Sequence, residues 1–198
     1  MKTNITTYLL LLTALLTFSN ASADKAILAG GCFWCMESDF EKLKGVSEVV
    51  SGFTGGESKN PTYRGNHAGH YEAVEITYDP NVVSYKGILD HYWVNIDPFD
   101  AKGQFCDKGH SYLSAIFVAN QAEKKIAETT RQIVVDEFTN QTVITPILPQ
   151  STFYPIKGAE VGHQNYYKIN PVRYNFYRYS CGRDKRLKQI WGDRVTQH

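Results

Sequence analysis

Hydrophobic and polar positions follow two different periods along this chain, and the switches between them predict the order of elements. Lys25-Ala26-Ile27-Leu28-Ala29 is a short apolar run that ends at Gly30-Gly31, the mark of a buried strand. Beyond the glycines, which permit a tight turn, Phe33, Met36, Phe40 and Leu43 recur at helical spacing over residues 32–43, and Gly45 stops the pattern. Val46 to Phe53 is a strand with ragged alternation, closed by Gly55-Gly56, and a loop from Glu57 to Gly69 follows, marked by Asn60-Pro61. Tyr71 to Tyr78 alternates most clearly, and Asp79-Pro80 ends it. Because side chains alternate across a strand, Glu72 shares a side with Val74, Ile76 and Tyr78, the side that should face the core. A helix from Ser84 to about Asn95, a loop from Asp97 to Gly109, a strand from Tyr112 to Ala119 and a helix from Gln121 to Phe138 complete this part.

The order β-α-β-β-α-β predicts an α+β fold, a two-layer sandwich with a ferredoxin-like core in which helices cover one face of a mostly antiparallel sheet. From Thr142 onward Pro146, Pro149, Pro155 and Pro171 interrupt the pattern, so a long irregular C-terminal segment is expected, helical only from Val161 to Asn170. At the other end, Lys2 precedes an apolar run from Tyr8 to Phe18 and then Ala21-Ser22-Ala23. That is the pattern of a secretory signal peptide, and the run is shorter than the ~20 residues of a membrane-spanning helix. Residues 1–23 are therefore read as a signal peptide and residues 24–198 as a single domain, exported to a bacterial periplasm. No repeat, low-complexity tract or linker divides them.

Composition narrows the class. With 42% hydrophobic residues, 10 Phe, 3 Trp and 13 Tyr, the chain has enough apolar surface to bury a core, which excludes disorder. A formal net charge of +1 offers no basic stripe for a nucleic acid. The 4 cysteines are too few for a disulfide scaffold but enough for redox or metal chemistry. A metal site is not expected, because Cys106 and Cys181 form no second short knuckle and His67, His70, His91 and His110 lack ligand spacing.

Cys32-x-x-Cys35, at the turn from strand into helix, carries the strongest chemical signal. A cysteine in a first helical turn faces free backbone N–H groups and the positive end of the helix dipole, so its pKa should fall and favour the nucleophilic thiolate. Gly30-Gly31 would let the backbone approach a substrate, and Phe33 with Trp34 would wall a small apolar pocket. A structural disulfide between the two cysteines is the blander alternative; their spacing is that of exchangeable bonds.

Gly31-Cys32-Phe33-Trp34 resembles the signature of the peptide methionine sulfoxide reductase A family. The likeness continues through Gly55-Gly56, Asn60-Pro61-Thr62-Tyr63-Arg64 and Gly69-His70-Tyr71-Glu72-Ala73-Val74. It extends to Asp107-x-Gly109-x-x-Tyr112-x-Ser114-Ala115-Ile116 and to Phe153-Tyr154 with His163-Gln164, covering roughly residues 25 to 192. The resemblance implies reduction of the S epimer of methionine sulfoxide, free or in oxidised proteins, without a bound cofactor or metal. Cys32 matches the nucleophile, which would be left as a sulfenic acid, and Glu72 the acid that protonates the departing oxygen. Tyr63 and Tyr112 match hydrogen-bond donors to that oxygen, Phe33 and Trp34 the pocket for the substrate methyl group, and Asp107 a substrate-positioning residue. His163 reads as a structural hydrogen-bonding residue.

Cys35 stands where many family members have Gly, and Phe105-Cys106-Asp107 where many have Gly-Asn-Asp, which leaves the recycling thiol open. Cys35, nearest in sequence, is favoured to resolve the sulfenic acid, ahead of Cys181 and Cys106, and a relay through two of them stays open. A thioredoxin-type reductant then restores the enzyme, delivered outside the cytosol by a thioredoxin-like or membrane-linked thiol reductase. A monomer is expected. The alternative, a general thiol-disulfide oxidoreductase, has no use for this acid and tyrosine set.

Overall fold

Strands and helices alternate first, and helices gather at the C-terminal end. The computed structural model describes residues 23–195. The signal-peptide reading of residues 1–23 falls almost wholly outside them. The elements are β1 (Asp24–Gly30), α1 (Phe33–Phe40), β2 (Val46–Thr54), β3 (Tyr71–Tyr78), α2 (Tyr85–Trp93), a small hairpin of β4 (Gly103–Gln104) and β5 (Asp107–Lys108), β6 (Ser114–Val118) and α3 (Gln121–Glu137). Two short strands follow, β7 (Ile147–Pro149) and β8 (Tyr154–Pro155), then α4 (Tyr166–Ile169), α5 (Pro171–Ser180) and α6 (Arg183–Trp191).

The main sheet has 6 strands in the order β7-β6-β1-β3-β2-β8. Its inner four are antiparallel, with Ala26 opposite Ile76 and Leu28 opposite Ile116. Read in chain order those four give the crossed arrangement of a ferredoxin-like core, which the element order predicted. β7 adds a parallel edge beside β6, and β8 pairs with β2.

Alternation sorts the strand residues onto two faces. Ala26, Leu28, Val74, Ile76 and Ile116 join Phe33, Met36, Phe40, Ile88, Leu89 and Tyr92 from α1 and α2 in the main core. Ile27, Ala29, Tyr71, Ala73, Ala115 and Phe117 form a second cluster on the other face, against Leu113, Leu148 and Phe153. Phe40 is fully buried, so its loss to Ala would cost about 3–5 kcal/mol. The helices start where their sequences cap them. Ser84 accepts from the Gly87 N–H, and at the start of α3 Asn120 Oδ1 accepts from the Glu123 N–H while Glu123 Oε2 accepts from the Ala119 N–H.

Two expectations need correction. The C-terminal segment is helical from Tyr166 almost to its end, because Pro171 occupies the first turn of α5, where its missing N–H would have had no partner anyway. The predicted strand from Tyr112 begins only at Ser114, and Tyr112 ends a 3-10 turn, His110–Tyr112.

Candidate active site

β1 delivers Cys32 to the start of α1. Gly31 has φ +85, and a Cβ there would lie 2.6 Å from the Gln104 Cβ. A Cβ on Gly30 would meet the Met36 Sδ at 2.5 Å. The glycines therefore serve packing beneath the turn, against the hairpin and α1, rather than the approach of a substrate.

Cys32 is the N-terminal flanking residue of α1, 6% exposed, and Cys35 is 2% exposed; both are free thiols. The Cys35 N–H donates to the Cys32 carbonyl at 3.1 Å, which sets the two residues on one turn. Burial, then the neighbouring Cys35 and Glu72, push the Cys32 thiol up, with the Tyr177 hydroxyl pulling the other way. Cys35 is lowered to about 7, first by its hydrogen bond from Cys32 and then, against burial, by the cations of Arg183 and Arg178. The lowering expected at Cys32 from its helix position thus falls on Cys35 instead. Desolvation outweighs the helix terminus at Cys32.

The acid lies beside them. Glu72 is 3% exposed, as its place on the core face of β3 predicted, and Oε2 accepts the Phe33 N–H at 3.1 Å. That bond favours the carboxylate, but burial outweighs it and, with Asp107 and Cys35 nearby, raises the carboxyl to about 8. Glu72 is therefore protonated at neutral pH.

The aromatic walls come from three segments. Trp34 stacks on Tyr166 with ring centroids 3.8 Å apart, and Tyr63 lies against His163 at 3.9 Å. Phe33 is 6.0 Å from Tyr63. The Trp34 indole N–H donates to His163 Nδ1 at 3.2 Å. Burial lowers the His163 pKa, so the neutral ring keeps that nitrogen as an acceptor. His163 is thus a hydrogen-bonding support, in keeping with its reading from sequence. Tyr63 is held by its own backbone, whose N–H donates to Glu160 Oε2 at 2.7 Å.

Tyr63 and Tyr112 converge on the acid. Each phenol is raised by burial and then by Glu72, Tyr63 to about 12, so both stay protonated donors. Asp107, on β5, accepts the Tyr177 hydroxyl through Oδ2, and its carboxyl is raised chiefly by burial. Asp107 and Cys32 both act on the two phenols, which places the predicted nucleophile, acid, donors and positioning residue around one center.

The remaining cysteines sit apart from that pair. Cys106 and Cys181 are joined by a disulfide, with a Cα–Cα distance of 4.8 Å across a sequence separation of 75. Cys106 is exposed and Cys181 half-buried, and Cys106 Sγ lies 3.7 Å from Asp107 Oδ1. Their two sulfurs are bonded to each other, so they offer no pair of thiolates to a metal.

Several supports were invisible in the sequence. The Asn165 N–H donates to both Glu37 carboxylate oxygens at 2.9 and 3.0 Å, which presents Tyr166 to Trp34. Arg183 reaches back to the Gly30 and Asn95 carbonyls at 3.2 and 2.7 Å and to Asp39 at 3.3 Å, bracing the turn before Cys32. Tyr177, which closes over Cys32 and Cys35, belongs with them. In these surroundings a sulfur nucleophile, a neutral carboxylic acid and two phenols can take an oxygen from a ligand to sulfur while protonating it.

Comparison with known proteins follows the same line. Residues 24–195 match the family model described as peptide methionine sulfoxide reductase. Over 172 residues the chain is 49% identical to "Peptide methionine sulfoxide reductase MsrA 2" of Caulobacter vibrioides, covering 85% of this chain and 86% of that protein. Among solved structures, "Methionine sulfoxide reductase A of Corynebacterium diphtheriae" aligns with TM-score 0.66 at 28% identity, over 78% of each chain. Mxr1 of Saccharomyces cerevisiae in reduced form aligns with TM-score 0.69 at 25% identity, over 77% of this chain and 88% of that one.

Proposed function

Because the chain belongs to the peptide methionine sulfoxide reductase family, we propose that Cys32, Glu72, Tyr63 and Tyr112 carry out its reaction on the S epimer of methionine sulfoxide, free or within oxidised proteins. The chain is an oxidoreductase that reduces methionine sulfoxide to methionine. Cys32 attacks the sulfoxide sulfur, Glu72 gives its proton to the oxygen, and the Tyr63 and Tyr112 hydroxyls support the charge that builds there. Phe33 and Trp34 hold the substrate methyl group. Methionine leaves, and Cys32 carries the oxygen as a sulfenic acid.

One observation carries this reading: a buried carboxyl raised to about 8 beside a buried cysteine, with two protonated phenols against it. Disulfide exchange needs no such acid, whereas a sulfoxide oxygen leaves only when protonated. Cys35, with its pKa of about 7, then attacks the sulfenic sulfur; the S–O bond breaks and water leaves. A thioredoxin-type dithiol reduces the resulting disulfide. Mxr1 has been solved in complex with Trx2, and a donor of the same chemistry suits a disulfide at this site.

The leader supports export to a periplasm, since removal of residues 1–23 would leave β1, which begins at Asp24, whole. The donor would then be thioredoxin-like or membrane-linked, and the enzyme monomeric. Two measurements test these proposals. Product analysis with separated epimers should show methionine from the S form alone, and turnover of the R form at a similar rate would overturn the assignment. Mass spectrometry of protein from its source should find Asp24 at the amino terminus, whereas an intact Met1 rejects export.

A further inference from the structure

Choosing between epimers places a demand on the site that the reacting groups alone do not meet. A sulfoxide sulfur carries an oxygen, a methyl group, the side-chain methylene and a lone pair. Exchanging oxygen and methyl, with the other two held, converts one epimer into the other. A site that tells them apart must therefore fix where the oxygen goes relative to where the methyl goes. The methyl wall, Phe33 and Trp34, opens α1, and the Phe33 N–H holds Glu72 to it. Tyr63, an oxygen donor, lies instead in the loop between β2 and β3.

One short element joins that loop to the wall. In the 3-10 helix Gly158–His163, which makes about three residues per turn, Glu160 and His163 line up on one side. Glu160 Oε2 accepts the Tyr63 N–H at 2.7 Å, and Oε1 accepts the Arg64 N–H at 3.2 Å. A carboxylate suits this double contact because both of its oxygens only accept. His163 Nδ1 accepts the Trp34 indole N–H at 3.2 Å. The His163 ring lies 3.9 Å from that of Tyr63 and 5.5 Å from that of Trp34, 15° from parallel with the indole. The helix is itself anchored at its end. Gln164 accepts the Ser51 N–H of β2 at 2.8 Å and donates to the Ser51 and Ile156 carbonyls at 2.7 and 3.1 Å. The Asn165 N–H is held by Glu37 of α1.

We propose that this helix is a gauge that sets the oxygen donor Tyr63 against the methyl wall, which makes Glu160 and His163 positioning residues for epimer selection. The S form reaches both ends of the gauge at once. The R form, with its methyl group on the wall, turns its oxygen away from Tyr63. Both residues act through the groups they hold.

The inference rests on the reading of the chain as an S-epimer reductase, and the test separates the two. With the full chain in excess over a methionine sulfoxide peptide, methionine formation from the separated S and R forms is followed as maximal rate and half-saturation. The variants are Glu160→Ala, Glu160→Gln, His163→Phe and the double variant of Glu160→Ala with His163→Phe. Glu160→Ala should slow the S form about tenfold, the worth of a lost hydrogen bond to a charged group, mainly in maximal rate, since Tyr63 supports charge that builds during reaction. His163→Phe, which keeps a ring without the acceptor, should act mainly on half-saturation, through the wall. In both variants the R form should give measurable methionine and lose less than the S form, so the preference narrows about tenfold. Glu160→Gln keeps one acceptor oxygen and should restore part of that preference. The double variant should narrow it no further than the stronger single one, because freeing either end frees the gauge. Ser84→Ala, which removes the cap of α2, should lower the melt and leave the preference parental. Equal losses for the two forms, no methionine from the R form in either single variant, or losses of preference that multiply overturn the gauge. Should Glu160→Ala fail to fold, Glu160→Gln decides by the same criteria. A parent that reduces both forms at a similar rate overturns the S-epimer reading and the gauge with it.

Discussion

The two cysteine pairs of this chain differ in every respect that governs thiol chemistry. Cys32 and Cys35 are close in sequence, buried, free, and set in a helix start that packs against an acid. Cys106 and Cys181 are 75 residues apart, more exposed, and bonded to each other. Burial makes the inner pair a place where water is excluded, which suits oxygen transfer to sulfur. The outer pair joins a hairpin to a helix end, where an external dithiol can reach it and where its loss loosens Asp107 and Tyr177. Reactivity therefore follows the surroundings of each pair rather than the number of thiols.

The comparison breaks most completely at Cys32. Cys32→Ser should remove single-turnover methionine formation by at least about 10³-fold even with excess dithiothreitol, because Cys32 flanks the start of the helix whose Phe33 N–H holds Glu72. Activity within tenfold of the parent would move the chemistry to another cysteine.

Glu72→Gln should come next, with a loss of roughly 10²–10⁴-fold in the single-turnover rate, since the amide keeps shape but has no proton to give. In the parent the same step should slow as pH rises through about 8, where Glu72 ionises. Its stability contribution has the same sign. The folded value lies above the ordinary 4.5, so the contribution is fully present below pH 4.5 and is lost as pH rises through about 8. Glu37, raised by burial to about 7, acts in the same direction. Thermal melts should fall from pH 5 to pH 8, and Glu72→Gln should flatten that slope; an unchanged slope would place the proton elsewhere.

The inner pair was legible in the sequence and its supports were not, for a physical reason. Two cysteines at a glycine turn lie within one short segment, and the alternation of β3 put Glu72 on the core side with no knowledge of its partners. The order of elements gave the crossed sheet in the same way. Glu37, Glu160, Tyr166, Tyr177 and Arg183 act across separations no periodicity records; the Asn165–Glu37 bond spans 128 residues and the Arg183–Gly30 bond 153. Prolines hid the C-terminal helices, since Pro171 reads as an interruption although it opens α5. The Cys32 pKa misled because a helix start is local and visible, whereas burial is a property of the whole fold.

Recycling separates the pairs by a smaller margin. Cys35→Ser should keep single-turnover methionine formation and lose thioredoxin-driven turnover, because Cys35 shares a helical turn with Cys32 and its thiol is lowered to about 7. Cys181→Ser should lower thioredoxin-driven turnover less. If Cys35→Ser turns over at the parental rate while Cys181→Ser does not, the resolving role passes to the outer pair.

The smallest effect concerns the outer pair in the chemical step itself. Cys106→Ser opens the bond between the hairpin and the end of α5 but leaves Cys32, Cys35 and Glu72 in place. By loop entropy a cross-link over 75 residues stabilises the fold by about 4–5 kcal/mol, so the melt should fall clearly. The single-turnover rate should fall by less than about tenfold, because the Tyr177–Asp107 hydrogen bond still joins the two elements, though with more freedom. Single-turnover rates and melts of Cys106→Ser beside the parent measure both effects. If Cys106→Ser slows the step as much as Glu72→Gln, the outer sulfurs take part in oxygen transfer, and the division between an inner reactive pair and an outer exchangeable one fails.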